Sequence, residues 1–376
     1  MVRLSVLLLS LLSSAAFAAT PPPSVAARAW LVADLTSGHV LTARKADERF
    51  EPASLTKLMT AYVVFDALRE KKLALTQQVP ISRHAWRAPG AKMFVDPKKP
   101  VTVDELIRGM VVQSANDASI ALAEAVAGSE DGFVQIMNRE AARLGLTNTR
   151  FMNASGLPDA QHYSTARDLY LLSAALIRDF PNEYATYYSQ KEYRYNNVTQ
   201  PNRNGLLWVD PTVDGLKSGH TEAAGYCLIA SSRRNGRRLL SVVLGANSEP
   251  GRTRESQRLL NWGFQFYEAV KLFSANDVVR ELDVWKGSQR SVKVGVNRDL
   301  YVSVPKGQSD RLKAELVSQQ PLTAPLKRDQ RVGTLRVSFE GEPYAEYPLV
   351  ALESVGPAGL LGRSWDTLRL WIKRFF

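Results

Sequence analysis

The chain has 376 residues, 45% of them hydrophobic and 23% charged, the balance of an ordinary folded soluble protein with room for one large domain and one smaller one. A net charge of +11 suits an anionic partner, but no Lys/Arg run or aromatic–basic repeat marks a nucleic-acid surface, so that partner is set aside. The lone cysteine, Cys227, rules out an intrachain disulfide and reads as a buried structural thiol. Four scattered histidines with no His-Glu-x-x-His and no Cys pair give no metal or cofactor signature.

The N-terminus reads as a secretory signal peptide over residues 1–18. Arg3 precedes the apolar run Leu4 to Leu12, and small residues at Ala16 and Ala18 suit cleavage after Ala18. The run is shorter than the roughly 20 residues a membrane span needs. After Pro21-Pro22-Pro23, Ala29 to Asp34 and Val40 to Thr42 form a hairpin about Thr36-Ser37-Gly38. A helix over 54–69 carries the apolar stripe Leu58, Tyr62, Phe65, Leu68. Thr102-Val103-Asp104-Glu105 is a capping box opening a helix that ends near Gln113. Helices over 117–127 and 131–144 follow, closed by Gly128 and Gly145. A polar loop runs from Phe151 to Ser164, and Thr165 caps a helix through Arg178.

Strands over 215–218, 225–232 and 239–246 follow, the last two joined by the turn signal Asn235-Gly236. A closing helix is expected over 252–270. Helices flanked by early and late strands imply an α+β domain over 25–271. Residues 273–358 alternate in short runs such as Ser291 to Val296 and read as a small all-β domain. From Leu361, the residues Trp365, Leu368, Ile372 and Phe375 recur at helical spacing opposite Arg363, Arg369, Lys373 and Arg374. Residues 361–376 therefore read as an amphipathic helix suited to an anionic membrane surface.

Three short motifs carry chemistry. Ser54-Leu55-Thr56-Lys57 opens the first long helix, where residues three apart share a face, so hydroxyl and amine can meet. A serine hydroxyl needs a base, and a lysine is a base only if burial, a second cation or a helix N-terminus lowers its pKa. Ser114-Ala115-Asn116 sits in the tight joint between two helices. Lys217-Ser218-Gly219 ends a strand, with His220-Thr221 after it.

In this order the three motifs resemble the active-site set of the serine penicillin-recognising enzymes. Glu51-Pro52-Ala53, the run Val213 to Thr221 and Asn261-Trp262-Gly263-Phe264 narrow the resemblance to the D-alanyl-D-alanine carboxypeptidases, low-molecular-mass penicillin-binding proteins of the S11 type. The resemblance covers nearly the whole mature chain. It implies a β-lactamase/transpeptidase-like domain, a small all-β domain and a C-terminal amphipathic anchor. The protein would sit in the periplasm, on the outer face of the bacterial inner membrane. Its substrates would be peptidoglycan stem pentapeptides, and β-lactam antibiotics would acylate it.

By that resemblance Ser54 is the nucleophile, Lys57 its base with Lys217 keeping it neutral, and Ser114 a proton shuttle to the leaving amine. Asn116 holds the substrate's peptide group. The backbone of Ser54 and His220, beside Gly219, supplies the oxyanion donors, and Ser218 and Arg252 receive the substrate carboxylate. Two positions depart from the commonest pattern: Ser-Ala-Asn stands for Ser-Asp-Asn, and Lys-Ser-Gly for Lys-Thr-Gly. The loop from Phe151 to Ser164 contains no glutamate, which argues against an efficient β-lactamase. A D,D-endopeptidase on the same scaffold and a wall-binding protein with a relic site are the alternatives. A Ser-His-Asp hydrolase lacks its Gly-x-Ser-x-Gly.

Overall fold

A computed structural model describes residues 21–318, 320–359 and 364–367. The expected signal peptide and all but four residues of the expected anchor helix lie outside them. Strand β1 (Ala29–Asp34) is buried along its whole length, and its alternation divides it between two cores. Leu31 and Ala33 face a large helical layer, while Trp30 and Val32 face a smaller core on the other side. β2 (His39–Arg44) returns through a turn at Gly38, whose φ of +80° suits a residue without Cβ.

A 3₁₀ turn, Ala53–Thr56, runs directly into α1 (Lys57–Arg69). The expected stripe of Leu58, Tyr62 and Phe65 is buried, but so are Met59, Ala61, Val63 and Val64, whereas Leu68 is half-buried. The helix is not amphipathic because it is the centre of the domain, surrounded by other elements. The capping box at Thr102 forms with both of its hydrogen bonds and starts α2 (Val103–Val112). Then come α3 (Asn116–Ala127), α4 (Glu130–Arg143) and α5 (Ala166–Asp179), the last capped by Thr165. A short hairpin, β3 (Glu192–Tyr195) and β4 (Val198–Pro201), packs against α2.

β5 (Val213–Thr221), β6 (Gly225–Arg234) and β7 (Arg237–Ala246) complete an antiparallel sheet in the order β2-β1-β7-β6-β5. Early and late strands thus meet at β1–β7, as the order of elements requires. Asn235 and Gly236 turn β6 into β7 at φ of +50° and +81°. Cys227 on β6 is buried, and burial pushes its thiol pKa up to about 11.

The closing helix α6 is Glu249–Phe266, not 252–270. It stops at Phe266 because Tyr267–Phe273 is a strand paired with Leu300–Pro305. That ribbon and a six-stranded sheet built from Val278–Ala351 make the second domain. At the junction Ser303 hydrogen-bonds Asp34 Oδ2 at 2.7 Å and Ser37 Oγ at 2.8 Å. Tyr347 OH meets His39 Nε2 at 3.1 Å. No helix among the described residues is long and apolar enough to cross a membrane. In the helical turn 364–367, Asp366 accepts from Lys286 N of the second domain at 2.7 Å, and Trp365 is exposed.

Candidate active site

Ser54 lies in the 3₁₀ turn rather than in an α-helix. Three residues per turn place positions i and i+3 in line, so Ser54 and Lys57 are closer to eclipsed than an α-helix would make them. The Lys57 amine lies 3.0 Å from Ser54 Oγ. It also donates to Asn116 Oδ1 at 2.7 Å and to the backbone oxygen of Ser155. Lys57 is 1% exposed. Burial first, then the Arg203 cation, with Asp117 opposing both, lowers its pKa to about 7.

The joint between α2 and α3 supplies the second group. Ser114 sits at φ +61°, a strained value for serine, and its buried Oγ has no hydrogen-bond partner among the described residues. Asn116 is fixed at both ends of its amide. Nδ2 donates to Pro89 O at 2.7 Å, which leaves Oδ1 facing Lys57 and one N–H of Nδ2 to spare. Gly90 is close enough that a Cβ on it would fall 2.9 Å from Asn116 Nδ2.

The third group comes from β5, which lies against the 3₁₀ turn. A Cβ at Gly219 would meet Ser54 N at 3.2 Å and Leu55 N at 3.3 Å, so this approach tolerates little more than glycine. Lys217 is 3% exposed. Burial first, then the charges of Lys57, Arg203 and Arg252, hold its pKa well below the ordinary value. Arg252 reaches in from α6, donating to Gly219 O at 3.3 Å, Arg203 O at 3.1 Å and Glu249 Oε1 at 2.6 Å. The His220 ring is exposed and packs on Tyr226 at 4.1 Å between centroids.

These elements enclose a cleft of about 260 Å³. Ser54, Ser114, Asn116, Ser218, Gly219, His220 and Arg252 all line it, while Lys57 and Lys217 lie buried beneath. Among the described residues no Asp or Glu lines it, so the cleft selects for an anionic end group. A larger cavity of about 810 Å³ lies at the domain junction, near Ser37, Arg178 and Tyr347, and contains none of these groups.

A further cation enters beside Lys217: the charge of Arg203 adds to burial in lowering the Lys57 pKa, and Lys57 in turn lowers that of Lys217. Arg203 lies in the loop that follows β4, which the sequence reading leaves unassigned. The loop is pinned by its buried neighbours Asn202 and Asn204, Asn204 Nδ2 donating to Gly215 O at 2.9 Å. The polar loop after Phe151 also has a specific use. Asn153 Oδ1 accepts from Ser155 N, Gly156 N and Leu157 N, which presents Ser155 O to Lys57. A Cβ at Gly156 would fall 1.8 Å from Ala53 O. His162, at the far end of the loop, meets Thr56 Oγ1 at 2.9 Å, and burial lowers its pKa to about 4.

Comparison with known proteins gives a consistent result. Residues 15–248 match the peptidase S11 model, described as D-alanyl-D-alanine carboxypeptidase, and residues 267–357 match the C-terminal domain of penicillin-binding protein 5. The chain is 44% identical to the D-alanyl-D-alanine carboxypeptidase DacC of Escherichia coli K12, covering 98% of this chain and 94% of that one. It is 42% identical to DacA of Haemophilus influenzae, covering 94% and 92%. The crystal structure of penicillin-binding protein 5 from Haemophilus influenzae superposes with a TM-score of 0.85 at 41% identity, over 89% of this chain and 99% of that one. Penicillin-binding protein D2 of Listeria monocytogenes in its ampicillin-bound form matches 65% of this chain and 99% of its own, with a TM-score of 0.60 at 32% identity.

Proposed function

This chain belongs to the peptidase S11 family of D-alanyl-D-alanine carboxypeptidases, and on that premise we propose how its own residues perform the reaction. It is a serine-type D-Ala-D-Ala carboxypeptidase that binds penicillin. The observation that carries the mechanism is the buried amine of Lys57, 3.0 Å from Ser54 Oγ with a pKa near 7. A neutral amine there takes the Ser54 proton as Oγ attacks the carbonyl carbon of the penultimate D-alanine. The oxyanion that forms is met by the backbone N–H groups of Ser54 and His220. Ser114 Oγ, buried and without a partner among the described residues, passes the proton to the leaving nitrogen as the C–N bond breaks and D-alanine departs.

The Ser54 ester is then attacked by water, which gives its proton to Lys57. The tetrapeptide leaves with a new carboxylate and Ser54 recovers its hydroxyl. Asn116 holds the acyl donor's amide. Arg252, Arg203 and Ser218 favour the terminal carboxylate of the substrate, because the cleft is lined by cations and hydroxyls without an acid. Ser54→Ala is expected to abolish both covalent labelling by a fluorescent penicillin and release of D-alanine. Labelling that survives it refutes the assignment.

Location is part of the same proposal. Residues 1–18 export the chain to the periplasm, and 361–376 hold it on the inner membrane's outer face. The support is the basic, apolar and small-residue order of the leader and the basic amphipathic pattern of the tail. Truncation at Gly359 is expected to move the protein from the membrane to the soluble fraction with turnover of a soluble peptide retained. A truncated protein that still sediments with membranes counts against the anchor.

A further inference from the structure

Phe94 is held in a backbone conformation that a bulky side chain rarely adopts. Its φ is +65°, where Cβ crowds the carbonyl and glycine or asparagine is the usual occupant. Burial of the ring does not account for it, since Phe94 is 55% exposed. The holding group is Asp117, itself 1% exposed. Its carboxylate accepts from Met93 N at 3.0 Å, Phe94 N at 3.0 Å and Val95 N at 3.3 Å. The β3–β4 hairpin grips the strip from the other side, with Asn196 Nδ2 donating to Phe94 O at 3.2 Å and Gln200 Nε2 to Lys92 O at 3.1 Å.

This strip belongs to the active site. Gly90 and Ala91, at its start, line the cleft, and Ala91 O accepts from Asn116 N at 2.7 Å. Asp117 follows Asn116 directly. The backbone that carries the ring is therefore held, just beyond the cleft residues Gly90 and Ala91, by the same turn that carries Ser114 and Asn116.

Position decides what the ring can touch. Phe94 is three residues beyond Ala91, at most about 11 Å of chain. A stem peptide lying along the strip advances about 3.3 Å per residue. For a stem peptide that runs outward from Ser54 along the strip, the part level with the ring is the end farthest from the bond that is cut, where the peptide joins its sugar. A rigid exposed aromatic offers one broad apolar face with little rotamer entropy to lose, which suits the apolar face of a pyranose ring. We propose that Phe94 is a specificity-determining residue that stacks on the amino sugar bearing the stem peptide. The proposal rests on the carboxypeptidase reading and adds that the enzyme distinguishes a glycan-borne stem from a free one.

The test uses the full chain as wild type, Phe94→Ala, Phe94→Gly and Phe94→Tyr. Four readouts are compared: kcat/KM on a disaccharide pentapeptide, kcat/KM on the same pentapeptide without sugar, fluorescent-penicillin acylation, and Tm. Alanine and glycine are expected to lower kcat/KM about tenfold on the sugar-bearing substrate, chiefly through KM, with tyrosine restoring it. The free pentapeptide and penicillin acylation stay within about twofold of wild type. Phe94→Gly is also expected to raise Tm, because it relieves the positive φ. Stability and use of the glycan-borne substrate then move in opposite directions, which a ring serving only as packing does not allow. No loss on the sugar-bearing substrate, an equal loss on the free pentapeptide, or a Phe94→Gly protein that melts lower overturns the proposal. Wild-type enzyme that releases D-alanine from neither peptide overturns the carboxypeptidase reading itself and the proposal with it.

Discussion

The two domains treat charge in opposite ways. In the first, Lys57 and Lys217 are buried, and neither donates to a carboxylate among the described residues. Ser114 and Ala53 beside them sit at positive φ. In the second, ion pairs such as Lys271–Asp299 and Arg336–Glu346 lie at the surface, and Ser303 is the one buried polar residue among those described. Ser303 spends its hydroxyl on the first domain, at Asp34 and Ser37. Uncompensated burial of a cation is destabilising unless the group loses its proton. The first domain therefore exchanges stability for a lysine that is neutral near pH 7, whereas the second follows the ordinary rules of a stable β fold.

The sharpest way to break that contrast is Lys57→Met. Acylation by penicillin is expected to fall by about 10³-fold or more, the scale of a lost general base, while Tm holds or rises because a buried cation is gone. Its counterpart in the second domain, Arg336→Met, should change stability by about 0–0.5 kcal/mol. The Lys57 pKa is about 7 in the folded state and near 10.5 unfolded, so the unfolded chain binds the extra proton between those values. Wild type should consequently gain stability relative to Lys57→Met as pH rises from about 7 to about 10.5, and show no such drift below 7. A denaturant series at three pH values reads this directly.

Arg203→Gln sharpens the contrast at smaller scale. Loss of this cation raises the Lys57 pKa, so the acid limb of acylation moves to higher pH and the rate at pH 7 falls roughly several-fold. An unmoved limb would leave the role to Lys217 alone. Smallest is Ser303→Ala, expected to lower stability by about 1 kcal/mol through the domain junction with penicillin acylation unchanged. A changed acylation rate would show that the second domain acts on the cleft.

The three motifs were legible because each is local in sequence and each residue type carries its own chemistry. The capping box at Thr102 and the Asn235-Gly236 turn were legible for the same reason. The end of α6 was not, because Phe266 and Tyr267 are apolar in either a helix or a strand. Pairing with Pro305 and Val304 decides the matter, and that partner is distant in sequence. Arg203 and the Ser155 carbonyl were hidden for a related reason. One acts through space across a loop and the other through its backbone, which leaves no trace in the side-chain pattern.

The burial of α1 on every side has a consequence for how this site can vary. Met59, Tyr62, Val63 and Phe65 all pack into the core, so the floor under Ser54 cannot be remodelled without loss of the fold. Substitutions that leave the fold intact while reshaping the cleft are therefore confined to its rim: Gly90 and Ala91, the Ser155–Pro158 loop, and Arg203.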